Sequence, residues 1–198
     1  MSKLNFIFLK KKLNLLVSKI TMKKISYNIL FCFLISLCYS QENLNAFDIA
    51  RKGTVDQAKE ILKTNPKAFN NLNDDGYSPL VLASYRGNNE VAKFLIEIGS
   101  DINGNSKMGT PLMAAIFKGN NEIAKLLIEK KAIIHTEDAN GTTALIYATN
   151  FKNYEIVHLL ILAGADYTKK DSRGSSALDY AIVLDDDKLI ETLKNKKI

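Results

Sequence analysis

Sliding the chain against itself brings four stretches into alignment, each opening on a hydroxyl residue. They read SPLVLASYRGNNEVAKFLIEIG from Ser78, TPLMAAIFKGNNEIAKLLIEKK from Thr110, TALIYATNFKNYEIVHLLILAG from Thr143 and SALDYAIVLDDDKLIETLKNKK from Ser176. The offsets are 32, 33 and 33 residues. A unit of that size cannot bury an apolar face alone, so copies at a fixed period must stack on one another rather than surround one central core.

Each copy divides into two short helices. Ser78, Thr110, Thr143 and Ser176 place a hydroxyl at the N-cap of the first helix, where it accepts from a free backbone N–H. Pro79 and Pro111 follow at the first helical position, where the missing N–H costs nothing. Ala144 and Ala177 stand there in the later copies, so those helices should start less rigidly. Gly87 and Gly119 come nine residues after the cap, as left-handed residues turning the chain into the second helix. Lys152 and Asp185 replace them, which predicts turns that are strained or rebuilt. The second helices carry apolar residues at helical spacing, such as Val91 with Leu95 and Ile123 with Leu127. Ala83, Ala114, Ala115 and Ala148 let first helices approach closely. Gly99 and Gly164 end second helices, and hairpins run through Asp75-Gly76, Asn140-Gly141 and Arg173-Gly174. The connection from Gly99 to Thr110 is one residue short, so its hairpin should be tighter or irregular.

A period near 33 with T-P-L at the start, G-N-x-E in the middle and G-A-D at the end resembles the ankyrin repeat. The resemblance runs from about residue 42 to the C-terminus. It implies an all-α solenoid of about five helix-turn-helix units joined by hairpin loops. The first unit, AFDIARKGTVDQAKEILKTNP from Ala46, keeps the turn from Ala50 to Gly53 and turns Arg51, Lys52, Gln57 and Lys59 outward. Asp185, Asp186, Asp187, Glu191 and Lys194 make the last helix polar, so both ends read as caps. The three aspartates lack the alternation and glycine of a calcium loop, and read as a solvated helix start.

Ahead of the repeats, Met22 to Ser40 has a basic start, an apolar stretch from Ile29 to Leu37 and a small residue at its end. That is the layout of a secretory signal peptide, too short to span a bilayer comfortably, with cleavage expected after Ser40. The division expected is therefore 1–21 as an upstream extension from a start assigned too early, 22–40 as the signal peptide, and 41–198 as the repeat domain. Such a chain resembles the exported ankyrin proteins of bacteria, which implies a periplasmic or secreted monomer with no stable membrane anchor after cleavage.

The formal charge of +6 does not point to nucleic acid. Seven of the 27 basic residues fall within residues 1–40, which contain no acid, leaving 20 basic against 21 acidic residues beyond. A folded part of nearly zero net charge has little pull on a phosphate backbone, so no nucleic-acid partner is expected. Cys32 and Cys38 both precede residue 41, which removes thiol and zinc chemistry from the repeats. His135 and His158 are the only imidazoles, and neither has a spaced partner. With no nucleophile beside a base and no phosphate cradle, the sequence predicts no enzyme, no metal and no cofactor.

What the resemblance leaves is a concave surface of hairpin tips and first-helix ends, suited to an unidentified protein partner. The positions the repeat pattern frees there are Tyr77 at a tip, then Tyr85 and Arg86, Phe117 and Lys118, and Asn150 and Phe151 just before the middle turn. Aromatics recur there in three consecutive units, flanked by cations, the composition of a binding hot spot. The competing expectation turns Phe117 or Phe151 inward over Ala114 or Tyr147. An effector or immunity-type factor acting on a host or competitor protein is the alternative function.

Overall fold

A computed structural model of the chain describes residues 45–195. The extension 1–21 and the signal segment 22–40 lie outside the described residues. Among the described residues ten helices form five pairs: α1 (Ala46–Lys52) with α2 (Val55–Thr64), α3 (Pro79–Arg86) with α4 (Asn89–Glu97), α5 (Pro111–Phe117) with α6 (Asn121–Glu129), α7 (Ala144–Asn150) with α8 (Tyr154–Leu162), and α9 (Ala177–Val183) with α10 (Asp187–Lys194). Among the described residues there is no strand, only single β-bridges at three hairpins.

The caps form as the side chains dictate. The hydroxyls of Ser78, Thr110, Thr143 and Ser176 accept from the N–H three residues on, at 3.2, 3.4, 3.3 and 3.2 Å. Asp179 answers Ser176 with its own carboxylate at 2.8 Å, closing a capping box where the second, third and fourth units have Val81, Met113 and Ile146. First helices stack on first helices from α1 to α9, and second on second from α2 to α10. Leu95, Leu127 and Leu160, seventeen residues after their caps, are fully buried between the layers. Burying such a side chain stabilises the stack by about 1.5–3 kcal/mol.

A second set of links runs between units at the middle turn. Asn120 Nδ2 donates to Asn89 Oδ1 at 2.8 Å, Asn153 Nδ2 to Asn121 Oδ1 at 2.7 Å, and Tyr154 Oη to Asp186 Oδ2 at 2.8 Å. Asn88 reaches back instead to the carbonyls of Ile49, Ala50 and Gly53, and Asn120 also to that of Ser84, so a later unit donates to carbonyls at the end of an earlier helix.

The non-glycine turns are strained rather than rebuilt. Lys152 and Asp185 keep the left-handed backbone with φ of 52° and 50°, and Lys131, where Gly99 and Gly164 stand in neighbouring units, does so at 63°. The first unit departs from expectation: Gly53 has φ −84°. It comes one residue earlier after its cap than Gly87 does, and α2 starts at once with a capping box of Thr54 and Gln57. Glycine is required there by space, because a Cβ would lie 2.6 Å from Ile49 Cα. The short connection is tighter, as expected, with Ser106 and Gly109 exchanging backbone hydrogen bonds at 3.0 and 2.9 Å.

At the ends, Lys52, Gln57 and Lys59 are exposed, while Arg51 is half-buried and pairs with Asp48 at 3.3 Å. Asp185, Asp187, Glu191 and Lys194 face solvent. Asp186 does not: its carboxylate caps α10 through Leu189 N–H at 3.0 Å and binds Lys152 Nζ at 3.1 Å.

Candidate functional site

Hairpin tips are held against first helices by buried carboxylates. Asp138 Oδ1 accepts from the N–H groups of Asn140 and Thr142 at 2.8 and 2.9 Å, and its Oδ2 accepts from Tyr147 Oη at 2.6 Å. One unit on, Asp171 repeats the arrangement with Arg173, Ser175 and Tyr180 Oη, the last at 2.6 Å. Burial, then the Asp138 carboxylate, push the Tyr147 phenol far above its ordinary range, so it stays protonated and donating. Burial alone would raise the Asp171 carboxyl, but donors from Tyr180, Ser175 and Arg173 outweigh it and hold the group below its usual value. Both tips thus stand at fixed height over the first helices.

Between the tips and the middle turn lies a continuous row of rings. Tyr85 and Phe117 stack at 6.2 Å with planes 18° apart. Phe117 then meets Tyr147 and Phe151 edge-on at 5.7 and 5.6 Å, and these two lie parallel at 6.4 Å. Phe117 and Phe151 remain 45% and 50% exposed, so neither has turned inward. Lys118 Nζ stands 4.8 Å and the Arg86 guanidinium 5.9 Å from the Tyr85 centroid, within cation–π range. Arg173 lies 5.4 Å from the Tyr180 ring.

Of the residues expected on this surface, Tyr85, Arg86, Phe117, Lys118 and Phe151 come together. Asn150 lines a shallow depression beside them with Tyr147, Asn140 and Arg173. Tyr77 stands apart, half-buried against the core at the first tip. Tyr147 was missed by the sequence reading, and it adds a fourth ring in contact with both Phe117 and Phe151. Phe151 stands eight residues after its cap, whereas Tyr85 and Phe117 stand seven after theirs. Tyr147 stands four residues before Phe151 and so on the same helical face. The spacing was a usable signal. His135 and His158 are exposed, and no group of three or more metal-ligating side chains occurs among the described residues. No described helix is long and apolar enough to cross a membrane.

A 60-residue stretch is 35% identical to the human DNA-binding protein RFXANK, covering 30% of this chain and 23% of that protein, so the match spans about a quarter of the relative's length. The family model for ankyrin repeats (3 copies) matches three overlapping segments, residues 46–138, 99–171 and 131–198. With five capped helix pairs stacked layer on layer and that match running from residue 46 to the C-terminus, the chain belongs to the ankyrin repeat family.

Proposed function

We propose that the chain is a non-catalytic binding module, exported to the periplasm or the cell exterior, that takes a protein partner on the concave face of its hairpin tips and first helices. Ankyrin repeats are protein-interaction modules, which supports the class. The row of four touching rings carries the choice of face. A stack with no use for that face gains nothing by leaving Phe117 and Phe151 about half exposed beside cations, whereas a partner burying them gains anchor contacts. Export is supported by the signal-like segment from Met22 to Ser40.

Tyr85→Ala and Phe117→Ala should each weaken partner capture by about 2 kcal/mol, roughly thirtyfold. The thermal midpoint should fall much less than for Leu127→Ala. Unfolding as severe as that of the leucine variant would make the rings structural and refute the binding face.

A further inference from the structure

The two long faces of the stack treat their charges differently. Along the second helices, cations are matched by carboxylates: Lys93 lies 2.5 Å from Glu122 and 3.3 Å from Glu90, and Lys125 lies 2.5 Å from Glu155. On the ring-bearing face, exposed Arg86, Lys107 and Lys118 have no carboxylate within ion-pair distance among the described residues. The carboxylates there are already engaged. Asp138 and Asp171 are buried, with both oxygens of each accepting hydrogen bonds within their own tip and helix. Asp74 and Asp75, on the first tip, bound the cationic stretch at its N-terminal end. A row of apolar rings flanked by unmatched cations is complementary to a ligand that is both apolar and negatively charged.

The rings favour protein over nucleic acid. Base stacking requires free ring faces, and here Tyr85 has Phe117 and Lys118 against it, while Tyr147 and Phe151 lie beside each other, so part of each ring is already engaged within the row. The exposed parts of Phe117 and Phe151 suit aliphatic or aromatic side chains. Neighbouring helices pack about 8–10 Å apart, and an extended polyproline-type segment repeats its side chains every three residues, about 9 Å along its axis. Every third side chain of such a segment therefore meets the next repeat.

We infer that this face recognises an extended acidic segment of a partner protein, with apolar anchors three residues apart seated on the rings and carboxylates between them meeting Arg86, Lys107 and Lys118. This rests on the proposal that the concave face is the binding face. The test uses the full chain and fluorescence anisotropy with three labelled twelve-residue peptides: four repeats of Phe-Glu-Glu, of Phe-Lys-Lys and of Ser-Glu-Glu. Saturable binding of the first alone, weakening with added salt, is expected. Arg86→Glu combined with Lys118→Glu should reduce it about tenfold, and Phe117→Ala should also reduce it, while Lys125→Glu on the opposite face should leave it unchanged. Equal binding of the basic peptide, insensitivity to the charge reversals, or preferential binding of a twelve-nucleotide oligothymidine overturns the inference. If native partner capture is lost with Phe117→Ala but survives the charge reversals, the binding face stands and its acidic preference falls. If it survives both, the face itself is wrong.

Discussion

The third and fourth units, α5–α6 and α7–α8, reach the same helix pair by different means. The third relies on backbone chemistry: Pro111 sets the entry of α5, and Gly119 supplies the left-handed turn with φ 70°. The fourth has Ala144 and Lys152 at those places, and Lys152 holds φ 52° at a cost glycine would not bear. Side-chain links compensate. Tyr147 ties α7 to its own tip through Asp138, and Lys152 and Tyr154 both bind Asp186 of the following unit, while the third unit has only Ala114 where Tyr147 stands. A repeat that loses local preference can thus keep its geometry by fastening itself to its neighbours, at the price of depending on them.

The largest effects should show where the two units are alike. Leu127→Ala and Leu160→Ala empty equivalent, fully buried positions and should each lower unfolding free energy by about 2–5 kcal/mol in urea titrations. A large inequality between them would mean that the units differ in packing as well as in turns. Next comes the fastening itself. Tyr147→Phe removes the phenolic donor to a buried carboxylate and should cost about 1.5–3 kcal/mol. Tyr85→Phe, whose hydroxyl has no partner among the described residues, should leave the urea midpoint within experimental scatter.

Smaller and of opposite sign is the relief of backbone strain. Lys131→Gly should raise stability by up to about 1 kcal/mol, and Lys152→Gly by less, because it also gives up the ion pair to Asp186. A larger gain at Lys152 than at Lys131 would show that the ion pair contributes nothing. Acid should separate the units most gently. The Asp186 carboxyl is held below its ordinary range by Tyr154 Oη, the Leu189 N–H and Lys152. A pKa lower in the folded than in the unfolded chain gives stability that is present above the usual carboxylate value of about 4 and lost as pH falls below it. Hydrogen exchange should therefore loosen α8 and α10 on acidification, and Tyr154→Phe should flatten that pH dependence. An unchanged pH dependence in Tyr154→Phe would remove Asp186 from the account.

Most of the fold was legible because a repeat states its rules several times. Hydroxyl caps, cap prolines and glycines nine residues on each act within one turn of helix, and the structure places them as the spacing requires. Local chemistry also narrowed the outcomes at Lys152 without deciding between them. Gly53 misled, because its glycine is demanded by contact with Ile49 rather than by backbone sign, and only the count from its cap distinguishes the two. Asp186 looked solvated in a run of three acids, and its burial depends on Tyr154, thirty-two residues earlier. At the candidate site the rings before the middle turn were visible from the pattern. The tie from Asp138 to Tyr147, nine residues apart, was not, since a hairpin has to fold back before they meet.

Two of the asparagine links reach back to a helix made one repeat earlier. The carbonyls that close α1 are satisfied by Asn88, which lies 35 to 39 residues later in the chain, and Asn120 serves Ser84 across 36. On emerging from the ribosome, α1 and α3 therefore lack these bonds until the following repeat has been made. Order in these two repeats should follow one repeat behind the point of synthesis, and a fragment cut after the first or second repeat should fray at its last first helix unless it carries Asn88 or Asn120 of the unit beyond.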